Sequence, residues 1–178
     1  MILKRLLLIS LLTIATQVEA FQLKKSILKK VKKELVKTFE DKSLVLESIP
    51  VSNEVNAKLH KTIAKDHLNK IIKDSEVIGY AYIAKAPSKT DEFDFLIILD
   101  KNLIIKKANV LIYREDYGGE IGSKRWLKQF IGKTSGKQLK YTKDIIAISG
   151  ATISALSMTV AVNTFLKDVA ILNENQVL

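Results

Sequence analysis

Between residues 21 and 40, the apolar positions Leu23, Ile27, Leu28, Val31, Leu35 and Phe39 recur at helical spacing, and seven lysines between Lys24 and Lys37 fill the other faces. This pattern predicts a basic amphipathic helix. A lysine-rich face is ordinary on a surface helix, and it also suits an anionic membrane surface or an acidic partner. The turn-rich stretch Ile49-Pro50-Val51-Ser52-Asn53 follows, with Ser52 or Asn53 placed to cap a short helix toward His60. Four segments then read as strands: Asn69 to Asp74, Val77 to Ala86, Phe93 to Asp100 and Leu103 to Tyr113. The turns Asp74-Ser75-Glu76, Pro87-Ser88-Lys89 and Asp100-Lys101-Asn102 are too short for crossovers, so neighbouring strands are antiparallel. Beyond them come a glycine turn at Gly118-Gly119, a helix from Ser123 to Phe130, a polar loop from Lys133 to Lys143 and a final helix from Thr152 to Ala170. Leu156, Val160, Val162, Phe165 and Leu166 give that helix a face for the sheet. The predicted class is α+β: a central antiparallel sheet with a basic N-terminal helix and a C-terminal helix packed on it.

The first twenty residues change the boundaries of the fold. Lys4 and Arg5 precede an apolar run from Leu6 to Thr16, and Val18-Glu19-Ala20 offers small residues where a signal peptidase cuts. Ser10, Thr13, Thr16 and Gln17 interrupt the run, which falls short of the roughly 20 apolar residues a spanning helix needs. The expectation is a signal peptide over 1–20 cut after Ala20, a helical region over 21–60 and a binding domain over 61–178. The product would be exported, periplasmic or held on the outer side of the cytoplasmic membrane. Of 178 residues, 158 remain, with 27 Lys+Arg against 18 Asp+Glu, a formal charge of +9. Such a charge suits an acidic protein or an anionic membrane surface, and export argues against nucleic acid. The chain has no cysteine, which excludes disulfides, cysteine-ligated iron–sulfur clusters and Cys-x-x-Cys-His haem attachment. A redox role would require an organic cofactor.

Chemistry concentrates at Ser149-Gly150-Ala151-Thr152, between the apolar run Ile145 to Ile148 and the final helix. A helix N-terminus presents unpaired N–H groups and the positive end of the helix dipole, both of which hold phosphate. Gly150 permits close backbone approach and Ala151 keeps the space clear. The same residues also fit simple capping by Ser149 or Thr152. The only two arginines after residue 20, Arg114 and Arg125, flank the glycine turn near the only tryptophan, Trp126. Arginine offers a planar fork for phosphate, carboxylate or ring carbonyl oxygens. An Arg114–Glu115 or Arg125–Asp116 ion pair beside a Trp126–Phe130 core is the competing reading.

The Ser149-Gly150-Ala151-Thr152 motif resembles the flavinylation motif of the FMN-binding domain family, which includes the C subunit of the sodium-pumping NADH:quinone reductase and the G subunit of the Rnf electron-transport complex. The resemblance covers roughly residues 75 to 170. It implies FMN as cofactor, joined through its phosphate to the Thr152 hydroxyl by a flavin transferase that uses FAD as donor. It also implies flavin contacts from Ser149, Gly150, Ala151, Glu115, Gly118 and Gly119; Arg114, Arg125 and Trp126 join them as cofactor-binding candidates on their own side-chain chemistry. Two departures are visible. The family turn usually reads Glu-Thr-Pro-Gly-Leu-Gly, and here Glu115-Asp116-Tyr117-Gly118-Gly119-Glu120 matches only at Glu115 and Gly118. The family often places an acid three residues before the serine, where this chain has Ile146, with Asp144 the nearest acid.

The resemblance implies an electron carrier rather than an enzyme with its own substrate, exchanging electrons with a donor and an acceptor that the sequence does not name, such as a membrane redox complex. A non-covalent FMN binder and a flavin-free membrane-surface module are the alternatives. Other motifs carry less. Gly132-Lys133-Thr134 resembles the end of a P-loop, but Leu127 stands where its first glycine belongs and no strand precedes it. His60 and His67 lack an acidic or cysteine partner at metal spacing and read as surface histidines.

Overall fold

The computed structural model describes residues 25–178. The expected signal segment and its cut after Ala20 lie outside the described residues. The described chain opens within a helix, α1, over residues 25–39. Val31 and Leu35 are buried while Lys29, Lys30, Lys32 and Lys33 are exposed, so the amphipathic pattern is realised.

A compact unit runs from Asp41 to Leu178. Its sheet is a five-stranded antiparallel meander with strands hydrogen-bonded in sequence order: β1 (Val45–Ser48), β2 (Leu68–Lys73), β3 (Glu76–Pro87), β4 (Glu92–Asp100) and β5 (Ile105–Ile112). Residues 41–60 therefore belong to this unit, giving it an edge strand, β1, that the sequence pattern did not mark. They also supply the short helix α2 (Asn53–Asn56), where the Ser52 hydroxyl accepts the Val55 N–H at 3.3 Å. The tight turns have visible causes. Asp74 and Ser75 both take positive φ, 49° and 68°, the conformation that two-residue hairpins favour. The Asp100 carboxylate accepts the N–H groups of Asn102 and Ile104 at 2.9 and 3.0 Å, closing the next turn.

β4 is buried along almost its whole length, with Phe93, Phe95, Ile97 and Leu99 on one face and Leu96 and Ile98 on the other. Onto the first face packs α4 (Thr152–Glu174), through Ala155, Met158, Val162, Phe165, Leu166 and Val169. Tyr82 of β3 lies flat on Phe165, ring centroids 3.9 Å apart and planes within 5°. Each such side chain withdrawn from water contributes roughly 1.5–3 kcal/mol, which makes this layer the main stabilising element. α4 is long and apolar enough to cross a membrane, but half of its most apolar window is buried within the domain, as expected for a core helix.

Asp168 on α4 is buried, yet its carboxylate accepts the N–H groups of His60 and Lys61 at 2.7 and 3.1 Å and faces His60 Nδ1 at 2.8 Å. Both histidines are exposed, as expected. His60 nonetheless has an acidic partner, 108 residues away in sequence, which local spacing could not reveal. Among the described residues no His/Cys/Asp/Glu group is arranged to hold a metal ion.

Beyond β5 the chain loses regularity. A 3-10 turn over Gly119–Gly122 leads to α3 (Lys124–Leu127) and a further 3-10 turn over Lys128–Phe130. α3 and the second 3-10 turn together occupy the span predicted as one helix, Ser123 to Phe130. Residues 131–151 form no long element; a single bridge joins Tyr141 to Ile145.

Candidate functional site

The Ser149-Gly150-Ala151-Thr152 segment delivers the chain into the N-terminus of α4. Gly150 has φ +78°, a conformation that costs a side-chain-bearing residue free energy. Ala151 occupies the cap position and no side chain caps the helix. Neither Ser149 nor Thr152 therefore acts as the cap that simple sequence reasoning allowed. Thr152 is the first helical residue and exposed, and its hydroxyl makes only a long contact, 3.4 Å, to the Ile148 carbonyl. An accessible hydroxyl thus stands at the electropositive end of a 23-residue helix whose first N–H groups receive no side-chain oxygen.

The helix end is anchored from below. Tyr113, just past β5, places its hydroxyl 3.0 Å from the buried Ser154 hydroxyl, and Ser157 donates to the Pro87 carbonyl at 2.6 Å. The glycine turn meets the motif directly. At Gly118, φ is +78°, and a Cβ there would lie 2.7 Å from Ala151 Cβ and 3.0 Å from the Gly150 carbonyl oxygen. Gly118 is thus required by both conformation and space. Gly119 is exposed, and a Cβ there would meet nothing within 4 Å.

The strand-like run before the motif is held at one residue. Trp126 Nε1 donates to the Ile146 carbonyl at 2.7 Å, and the Ile146 N–H donates to Gln129 Oε1 at 2.9 Å. Gln129 Nε2 in turn donates to the Trp126 carbonyl at 3.0 Å. Trp126 is buried, with its ring edge-on to Phe130 at 5.3 Å. α3 and the run 146–149 form the two walls of a cleft of about 600 Å³, to which Arg125, Lys128, Trp126 and Ser149 contribute. Sequence reasoning missed Gln129 and Lys128; the spacing of Trp126 and Gln129 on one helical turn was the available signal.

Arg114 and Glu115 already have partners. Arg114 donates to the Glu92 carbonyl at 2.7 Å and to the buried Asp94 carboxylate at 2.5 Å. The ion pair is therefore Arg114–Asp94, not Arg114–Glu115, because Asp94 on β4 projects inward beside the end of β5. Arg125 is exposed, and no Arg125–Asp116 pair forms. Glu115 accepts the Thr90 N–H at 2.7 Å, the Thr90 hydroxyl at 2.8 Å and the Asp91 N–H at 3.3 Å. The neighbouring Ser88 hydroxyl and these Thr90 and Asp91 donors hold its carboxyl down to about 2. It closes the β3–β4 turn. Asp144 is likewise occupied, with its carboxylate accepting the Lys140 N–H at 2.8 Å. That bond, and the charges of Lys137, Lys143 and Lys133, hold its carboxyl below the usual range.

The residues gathered here suit a flavin mononucleotide. An uncapped helix N-terminus with a left-handed glycine before it accepts phosphate. The adjoining cleft has the volume of a small-molecule site, with an indole wall and a guanidinium at its mouth. No curated protein sequence matches the chain. Residues 89–167 match the family model of the FMN-binding domain, a stretch that begins in the β3–β4 turn, takes in the glycine turn and the cleft, and ends on α4. Over residues 89–167 the chain is similar to the FMN-binding domain, and FMN is the cofactor that this match indicates.

Proposed function

We propose that the protein is an exported electron carrier holding FMN through a phosphoester on Thr152. The observation that carries this reading is the exposed Thr152 hydroxyl at the uncapped start of α4, directly after the left-handed Gly150. Thr152 Oγ1 would displace AMP from FAD: the new bond joins Oγ1 to the flavin-side phosphorus, the phosphoanhydride breaks, and the threonine proton is lost to solvent. A flavin transferase supplies that step. The helix N–H groups of α4 would bind the phosphate oxygens, while Gly118 keeps the glycine turn tight against Ala151 and the Trp126–Ile146–Gln129 bonds fix the wall beside the motif. When bound, FMN accepts and releases one or two electrons. A covalent tether suits a carrier outside the cytoplasm, where a dissociating flavin is lost. Its donor and acceptor belong to other proteins, such as a membrane redox complex.

Expression with and without a flavin transferase, followed by denaturation, tests the linkage. Flavin fluorescence should stay with the denatured chain only when the transferase is present; flavin released from the denatured chain in both cases would replace the ester with non-covalent binding. Ile146 is 70% exposed, so an acid fits there without disturbing the core. Ile146→Asp should speed loading. Export is tested by N-terminal sequencing of the mature protein, which should begin at Phe21; an intact Met1 on a membrane-held product would replace secretion with anchoring.

A further inference from the structure

Residues 119–152 carry seven Lys and Arg against two acids, Glu120 and Asp144, an excess of five positive charges in one short stretch. These charges converge in space. Lys133, Lys137 and Lys143 all act on the Asp144 carboxyl, while Arg125 and Lys128 stand on the cleft that reaches Ser149. Asp144 is itself bonded to the Lys140 N–H, so it neutralises little of the surrounding charge. Large apolar side chains are exposed among these cations: Ile146 at 70%, Tyr117 at 84% and Ile153 at 51%. Tyr117 adjoins Gly118, which abuts Ala151, and Ile153 follows Thr152.

We propose that this end of the domain is a docking face for an acidic redox protein, with apolar side chains at the centre of contact and lysines at its rim. The inference rests on the carrier reading above. Protein interfaces combine an apolar centre with a polar rim, and complementary charge accelerates encounter and orients it. The face borders Thr152, where Tyr141 of the lysine loop reaches the Thr152 carbonyl at 3.5 Å, so a partner docked there stands beside the tethered flavin. A bilayer surface would satisfy the charge but would cover that end with lipid and bar a protein partner from it.

A reduced [2Fe–2S] ferredoxin of strongly negative net charge serves as the probe, mixed with the flavin-loaded protein in a stopped-flow instrument. Flavin reduction should slow as salt is added, and should slow about tenfold at low salt in the triple variant Lys137→Glu, Lys140→Glu, Lys143→Glu. Reversal of Lys29, Lys32 and Lys33 on α1, which the proposed face does not include, should leave the rate within about twofold. Titration of the same ferredoxin into flavin-free Thr152→Ala by calorimetry gives a readout independent of the cofactor. Binding should persist there and weaken when the three loop lysines are also reversed. Rates and binding that ignore both salt and the loop lysines would overturn the docking face while leaving the flavin reading intact. Loop-lysine-dependent pelleting with phosphatidylglycerol vesicles, with no effect on ferredoxin, would overturn it in favour of a lipid surface. Failure to load flavin with ferredoxin binding retained would count against the carrier reading alone.

Discussion

The sheet with α4 and the irregular stretch from Tyr113 to Ala151 are built on opposite principles. β4 and the inner face of α4 are stabilised by area: almost every side chain is apolar and buried, and Tyr82 and Phe165 share a stacked face. The irregular end also buries Ile121, Phe130 and Ile145, but its backbone course is set by a few directed bonds, with Trp126 and Gln129 fixing Ile146, Glu115 fixing the 88–91 turn, Asp144 fixing the 140–144 loop and Gly118 fitted against Ala151. Area tolerates small adjustments, whereas a directed bond is lost by changing one atom. The scaffold should therefore set stability and the irregular end should set cofactor placement, and substitutions in the two regions should separate these properties.

The largest effect belongs to the scaffold. Phe165→Ala removes the partner of Tyr82 and leaves a cavity, which should cost about 3–5 kcal/mol; chemical denaturation should show the loss, with flavin binding failing only as the chain unfolds. Arg114→Ala leaves the Asp94 carboxylate buried without its charge partner, at a cost of about 3 kcal/mol, the low end for such pairs because Arg114 is 25% exposed. Arg114→Lys should restore only part of that stability, since one ammonium cannot serve both Glu92 and Asp94 as the fork does. A negligible loss in Phe165→Ala would mean that area does not dominate this half, and a negligible loss in Arg114→Ala would mean that the Asp94 pair contributes nothing to stability.

Trp126→Phe keeps most of the apolar contact with Phe130 but removes the N–H held by the Ile146 carbonyl. The expected loss is about 1 kcal/mol, with a clear change in flavin absorption; an unaltered spectrum would dissociate this wall from the cofactor. The smallest effect at neutral pH comes from Glu115. Its folded carboxyl sits at about 2 against an ordinary 4.5, so its contribution is complete above pH 4.5 and disappears as pH falls toward 2. Glu115→Gln should consequently lie below wild type in stability at pH 6 and converge with it near pH 2. A gap that widens on acidification would contradict the assigned bonds.

The two regions also differed in how much the chain revealed before folding. Apolar runs and short turns located β2 to β5 within two residues at every end, and period 3.6 located α4, because burial and strand alternation are local patterns. β1 escaped notice because Val45–Ser48 alternates exposed and half-buried positions at a sheet edge, which leaves no apolar run to read. At the site, Gly150 and Thr152 were legible from their place before a helix. The partners of Arg114, Glu115 and His60 were not, since Asp94, Thr90 and Asp168 lie 20 to 108 residues away and only the tertiary fold brings them close.

The central claim is the ester on Thr152, and it is tested most directly by the mass of the denatured chain of Thr152→Ala produced beside a flavin transferase. Thr152 caps nothing, so the variant should retain wild-type stability within about 0.5 kcal/mol. It should lack the added mass of FMN less one water that the wild-type peptide containing Thr152 carries. Ser149→Ala, lacking the neighbouring hydroxyl, should keep that mass. The same added mass found in Thr152→Ala, mapped to any other residue, would contradict the account.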